Sequence, residues 1–208
     1  MKTKKRKTPQ GNDLRAEILL AAQRIVLEQG FDALSMRRVA EAIGYSATTI
    51  YLYFENREAI VAELGRVALN KLVAELGQIS SDLTPRERLQ QYATVYLGFS
   101  MRDADSYRLI FMENADLADA IFRSREGDDA TDVGARAFAF FIQAFTELAA
   151  QDRTWAQREP RINAEVYWTA LHGIASLKIT CAKFLRTDGR DLLGLVVPSL
   201  LDGLAQVR

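Results

Sequence analysis

The chain is poor in the residues that build many reactive sites: it has one cysteine and one histidine among 208 residues. A lone cysteine excludes an internal disulfide framework and any centre needing several thiolate ligands. A lone histidine excludes His-rich zinc or iron sites and the two-His zincin motif. No metal and no cofactor are expected. Prolines number four, and strand-like alternation is scarce. Uncharged runs such as Val166–Leu177 are far short of the roughly 20 residues that cross a bilayer, so no membrane partner is expected. The basic start is followed by no apolar stretch of signal-peptide type, because Arg15, Glu17 and Arg24 interrupt the next segment. A soluble, cytoplasmic protein is the expectation. There is no phosphate loop, GxGxxG, nucleophile elbow or paired-carboxylate motif, which argues against an enzyme. Asp128-Asp129 reads as a solvated pair in a polar loop.

Net charge is also lacking, with 27 basic and 27 acidic residues. The distribution is uneven, however. Residues 1–57 carry ten Lys/Arg against six Asp/Glu, and the remainder of the chain has the opposite excess. Lys2, Lys4, Lys5, Arg6 and Lys7 precede any acid, the first being Asp13. Such an arm is drawn to phosphate, because binding releases condensed counterions. Its plainer role is a solvated tail. Apolar residues make up 49% of the chain, enough for a substantial core.

Helical periodicity runs through nearly the whole sequence, which predicts an all-α fold. A first helix is expected from about Asp13 to Gln29, with Gly30 as its terminator. A second follows Ser35, a natural N-cap, and ends at Gly44. A short third covers about Ser46–Phe54, and a longer fourth runs from Asn56 to about Gly77. Thr84-Pro85-Arg86-Glu87 combines a capping box with proline at the first helical position. That helix reaches about Met101, and another covers Ser106–Phe122. The segment Ser124–Asp132 reads as an exposed acidic loop. Later helices span Val133–Gln151, Pro160–Arg186 and Asp191–Val207. Phe138, Phe141, Phe145 and Leu148 form one stripe in the first of these, and Pro198 should kink or divide the last.

The second and third helices, joined across Gly44-Tyr45-Ser46 with small Ala40 at their crossing, have the dimensions of a helix-turn-helix. One signal conflicts. Thr48–Phe54 is rich in β-branched and aromatic residues, and propensity alone makes it a strand. No second strand stands nearby to pair with it. As a helix, it puts Ile50 and Phe54 inside and turns Tyr51 and Tyr53 outward.

Leu14–Ile60 resembles the DNA-binding domain of the tetracycline-repressor family. The residues carrying the likeness include Ile18-Leu19, Ala21-Ala22, Gly30-Phe31, Ser35, Arg37, Val39-Ala40, Gly44, Ser46, Thr49, Tyr51, Tyr53-Phe54 and Arg57. Tyr45 and Tyr53 depart from the commonest family pattern. The resemblance implies a flexible arm over 1–11, a DNA-binding domain over 12–72 with its motif at about 35–54, and a regulatory and dimerisation domain over 73–208. It implies that Ser35 caps the second helix beside a phosphate and that Arg37 reaches backbone or base edge. Ser46, Ala47, Thr48 and Thr49 would open the recognition helix. Tyr51, Tyr53 and Arg57 would hold phosphates. Each of these has a plainer alternative in packing or solvation.

By the same resemblance, the last two helices pair with those of a second subunit, giving a homodimer. Ile174, Leu177, Cys181, Phe184, Leu185, Leu193, Val197, Leu200, Leu201 and Leu204 are the expected contacts. Trp168…His172-Gly173 resembles a signature of one branch of these regulators. Tyr96, Phe99, Tyr107, Phe111, Phe138, Phe141, Trp168 and His172 are candidates to line a ligand pocket, with ordinary core packing as the alternative for each. Met101 is a further candidate beside them. The function implied is a repressor released from a palindromic double-stranded DNA operator by a small-molecule effector, nucleoid-associated when bound. The alternatives are a DNA-binding protein of the same fold without an effector and, remotely, a helical-bundle enzyme.

Overall fold

The computed structural model describes residues 11–112 and 132–206. The basic arm, the far half of the helix expected over 106–122, and nearly all of the expected acidic loop lie outside the described residues. Among the described residues every regular element is helical: α1 (Gly11–Gln29), α2 (Met36–Ile43), α3 (Ala47–Tyr51), α4 (Arg57–Leu76), α5 (Pro85–Arg102), α6 (Ala104–Phe111), α7 (Val133–Gln151), α8 (Pro160–Thr180) and α9 (Gly189–Gln206). Short 3₁₀ turns sit at Phe31–Ala33 and Trp155–Gln157.

The start signals act as capping chemistry requires. Ser35, Ser46 and Asn56 each accept a hydrogen bond from the backbone N–H three residues on. Thr84 and Glu87 close a reciprocal capping box with Pro85 beside it. Asp132 accepts from the amides of Gly134 and Ala135 at the head of α7. Each cap supplies partners that the first helical turn otherwise lacks, typically about 1 kcal/mol.

Three expected boundaries differ. The third helix stops at Tyr51, not Phe54: the Leu52 amide turns to Thr49 and the Tyr53 amide to Ile50, as in a tightening last turn. Three consecutive β-branched residues weaken helix continuation, and Phe54 must swing inward to join Ile50 in the core. The eighth helix ends at Thr180 rather than Arg186, because the amides of Phe184 and Leu185 fold back to the Cys181 carbonyl. Lys178 Nζ then donates to the carbonyl of Thr187 at 3.0 Å, closing the turn. The last helix is not divided: it runs unbroken through Pro198. Proline removes the bond to the carbonyl of Gly194, four residues back, and Gly194 is exposed, so water can take that place.

α1, α2, α3 and the start of α4 share one cluster built on Ile18, Ala22, Leu34, Val39, Ile50, Phe54 and Ile60. The rest of α4 packs on α5, α6 and α7, while α8 and α9 complete the larger bundle. One helix therefore belongs to both groups. Length and apolar composition alone would let α7 cross a membrane. Instead Val133, Ala137, Phe141, Ala144, Phe145 and Leu148 face the bundle, which makes it a core helix. Phe138, expected on that stripe, is only half-buried.

Candidate nucleic-acid interface and inner cavity

The turn between α2 and α3 follows from one glycine. Gly44 takes φ 73°, ψ 34°, the left-handed region open to glycine. Its amide bonds to the Glu41 carbonyl, and the Tyr45 amide reaches back to Ala40 at 2.9 Å. This pair of bonds is a Schellman motif. Tyr45, a departure from the family pattern, is half-buried against the core. The turn therefore tolerates it and gains an apolar contact.

The expected interface residues fall into three groups. Thr48 and Tyr51 are exposed on α3, with Tyr51 at 55%. Ser35 and Ser46 are spent as caps, and the Ser46 hydroxyl also lies 2.9 Å from that of Thr49. Ala47, Thr49 and Tyr53 are half-buried, and Tyr53 lies past the helix end rather than on its outer face. Arg37 is exposed but paired with Glu41 at 2.9 Å, one helical turn away. Arg57 lies flat over the Phe31 ring, 4.0 Å from its centroid, with a buried Nε that has no hydrogen-bond partner. Stacking of this kind holds a guanidinium in one orientation and leaves its other nitrogens for a second partner.

Two features went unread in the sequence. Leu52 is 79% exposed beside Tyr51. Arg38, adjacent to Arg37, turns instead to Gln29 and the Ala33 carbonyl, bracing α2 against the end of α1. Nothing in the dipeptide distinguishes the two arginines; only the helix's rotation does.

A cavity of about 790 Å³ lies in the larger bundle. Tyr96 of α5, Phe111 of α6, Phe138 and Phe141 of α7 and Trp168 of α8 line it, as do Leu69 and Leu72 of α4. Phe99, Tyr107 and His172 are not in the wall. Phe99 is buried in the packed core, as its position around α5, about 60° from Tyr96, dictates. Tyr107 and His172 stand directly behind the wall. Arg161 and Glu165, unread in the sequence, also line the cavity and pair at 3.1 Å. Met101 is exposed at the surface.

Behind the wall, Tyr107 Oη lies 2.6 Å from His172 Nδ1. Tyr96 Oη is 3.1 Å from Tyr107 Oη and 3.3 Å from the same nitrogen. Tyr107 stacks on the imidazole, Phe111 meets it edge-on and Trp168 tilts against it. Burial pushes the His172 pKa below its usual 6.5, favouring the neutral ring. Burial also raises both phenols, Tyr107 to about 12 and Tyr96 well above its ordinary value. The cluster is thus uncharged at neutral pH.

Two family descriptions match the chain. "Bacterial regulatory proteins, tetR family" matches residues 18–64, and "Tetracyclin repressor-like, C-terminal domain" matches residues 89–197. A curated relative, the HTH-type transcriptional activator FasR of Mycolicibacterium smegmatis, is 26% identical over 101 residues, 48% of this chain and 46% of that protein. The match thus spans about half the relative's length. Among solved structures, the putative regulatory protein SCO4313 is 25% identical with a TM-score of 0.70, covering 94% of this chain and 100% of that one. Bacillus subtilis FadR, a transcriptional regulator solved in complex with stearoyl-CoA, is 16% identical with a TM-score of 0.68, covering 92% and 97%.

Proposed function

Because the chain belongs to the tetR family of bacterial regulatory proteins, we propose that it is a DNA-binding transcriptional regulator controlled by a small-molecule effector. Residues 12–72 form the DNA-binding unit, residues 1–11 its basic arm, and residues 73–208 the regulatory and dimerisation unit. The observation that carries this reading is the short α3, capped by Ser46 and set by the Gly44 turn, with Thr48 and Tyr51 exposed on it. A helix so presented fits a major groove about 12 Å wide. Thr48 faces the bases, Ala47 and Thr49 support from the flanks, and Arg37 leaves Glu41 to reach the backbone. Tyr51 and Arg57 bind phosphates, Ser35 and Ser46 offer their capped helix starts, and Tyr53 packs between these contacts and the core.

The effector occupies the cavity lined by Tyr96, Phe111, Phe138, Phe141 and Trp168. Its volume lies within the 300–1,000 Å³ usual for ligand sites, which disfavours the alternative without an effector. The stearoyl-CoA complex of Bacillus subtilis FadR adds that this fold accepts a long-chain acyl thioester. All the named matches are to regulators, and none favours the enzyme alternative. We assign repression, relieved by effector, on a palindromic operator read by a homodimer; FasR, named an activator, makes the sign worth testing.

The test is fluorescence anisotropy on the upstream region of the protein's own gene. Wild type binds with salt-dependent affinity. Tyr51→Ala with Arg57→Ala weakens binding about tenfold to a hundredfold and lowers the log–log salt slope by about one for the lost cation. Unchanged binding in the double variant overturns the interface. A reporter that falls, rather than rises, on deletion of the gene overturns repression.

A further inference from the structure

Burial around α3 follows the angle from Ile50, which is fully buried and turned to the core. Ala47 lies about 60° from Ile50 around the helix and Thr49 about 100°, and both are half-buried. Thr48 and Leu52 each lie about 160° from it, one on either side of the outermost line, and both are exposed. Leu52 keeps a helical backbone, with φ −71° and ψ −20°, so it still belongs to this face although α3 ends at Tyr51. The tighter last turn rotates it by at most about 40°, which leaves it on the outer side. Tyr51, about 100° from Ile50, stands on the flank. The crest of the helix is therefore Thr48 followed by Leu52, about 6 Å further along the axis.

Surface leucines occur singly in most proteins and need no partner. Leu52 differs from these by its place. It is 79% exposed on the crest of the helix that the Gly44 turn presents, beside Tyr51. Whatever the outer face of α3 meets, Leu52 meets. In a major groove, chemistry narrows its target. A leucine side chain has no donor and no acceptor, so it cannot hold a phosphate. Laid against a purine N7 or the amino group of cytosine, it strips water and returns no hydrogen bond. The apolar group that the base edges offer in the major groove is the C5 methyl of thymine. With roughly 3.4 Å between base pairs, the crest position beyond Thr48 falls one or two pairs further along.

We propose that Leu52 is a base-reading residue that selects thymine through its C5 methyl group, one or two pairs beyond the pair met by Thr48. This rests on the reading of α3 as the helix that enters the groove. Thr48 carries both a hydroxyl and a methyl, so it accepts more than one base. Leu52 discriminates: it gains a dry contact with the thymine methyl and penalises a polar base edge in the same place. In a two-fold dimer each copy reads the same thymine in its own half-site.

The test uses the full-length chain and a duplex that it selects from a pool of random sequence. Each thymine of that duplex is replaced, one at a time, by 2′-deoxyuridine, which lacks only the C5 methyl. Fluorescence anisotropy on wild type is expected to find a thymine in each half-site whose demethylation weakens binding about fourfold, the effect of burying one methylene-sized group. Leu52→Ala is expected to bind the thymine duplex more weakly and to be indifferent to uracil at that position alone. A C·G pair placed there is expected to weaken wild type, and 5-methylcytosine in its stead to recover about fourfold, because the methyl is what is read. Leu52→Ala is expected to melt with wild type, since the side chain is at the surface, which separates lost recognition from lost fold. The proposal is overturned if Leu52→Ala leaves affinity unchanged, or weakens thymine and uracil duplexes alike at every position. It is overturned too if the methyl effect vanishes in Thr48→Ser and persists in Leu52→Ala. The uracil scan on wild type also decides by itself, since a duplex with no uracil-sensitive thymine has no methyl that is read. A pool that yields no enriched sequence overturns the DNA-binding reading as a whole; an enriched duplex without a Leu52-dependent thymine overturns only the role of Leu52.

Discussion

Arg37 and Arg57 look alike in composition but are prepared for different tasks. Arg37 is exposed and paired with Glu41, so reaching a phosphate requires breaking a solvent-screened contact worth a few tenths of a kcal/mol. Arg57 is already oriented by the Phe31 ring. Its side-chain entropy is partly spent before any partner arrives, which favours it as the firmer clamp of the proposed interface. His172 illustrates the same logic inside the protein. Its pKa is lowered on folding, so below about 6.5 the unfolded chain takes up a proton that the folded chain resists. Stability is fully present above that value and is lost as the pH falls toward the depressed folded pKa. Glu87, whose carboxylate is stabilised by Thr84, acts below its usual 4.5 and does not confuse this window. Urea unfolding at pH 7.5 and pH 5.5 is expected to show a smaller acid loss in His172→Gln than in wild type. Equal losses would mean that the imidazole ionises freely in the fold.

The elements show where pattern and propensity part. Thr48–Tyr51 is helical although its residues favour strands, because Ser46 caps it and Ile50 is anchored at zero exposure. Tertiary burial overrides a weak local preference, but only as far as Tyr51, where α3 ends. The Gly44 turn is the hinge of the motif. Gly44→Ala forces a Cβ into the left-handed region and is expected to cost about 1–2 kcal/mol, read as a lower melting temperature. Operator affinity should fall with it, since the α2–α3 angle depends on the same bonds. A variant as stable as wild type would show that the turn has another route. The last helix makes the opposite point. Pro198 is a breaker by its chemistry, yet α9 continues because the orphaned carbonyl belongs to exposed Gly194.

At the scale of the molecule, α4 joins the DNA-binding cluster to the cavity bundle, since Ile60 and Val61 belong to the first while Leu69 and Leu72 line the second's cavity. Arg102 grips Glu75 with one nitrogen on both carboxylate oxygens, tying α5 to the far end of α4. The surface expected to meet a second subunit needs revision. Leu193, Val197, Leu201 and Leu204 are buried within this chain, and only the other face of α9 is open. Leu177 and Phe184 remain exposed, Phe184 at 83%, and Leu195, unread in the sequence, is 68% exposed. Leu195→Glu is expected to raise the dimer dissociation constant at least about tenfold, or 1.4 kcal/mol, in sedimentation experiments, while leaving the fold intact. A dimer of unchanged strength would move the interface elsewhere.

Periodicity, caps and glycine placement determined the helices and the turn that presents α3, because these are effects within a few residues. Ser35, Ser46, Asn56 and Thr84 announce their elements with chemistry that acts over three positions. Which of two neighbouring arginines braces the end of α1, which leucines of α9 stay buried, and whether an aromatic residue packs or lines a cavity were decided only by tertiary structure. Phe99 and Tyr96 are alike on paper and differ by their rotation around one helix. The Tyr96–Tyr107–His172 triangle joins residues up to 76 positions apart, and no local pattern encodes a contact that arises only when three helices pack together.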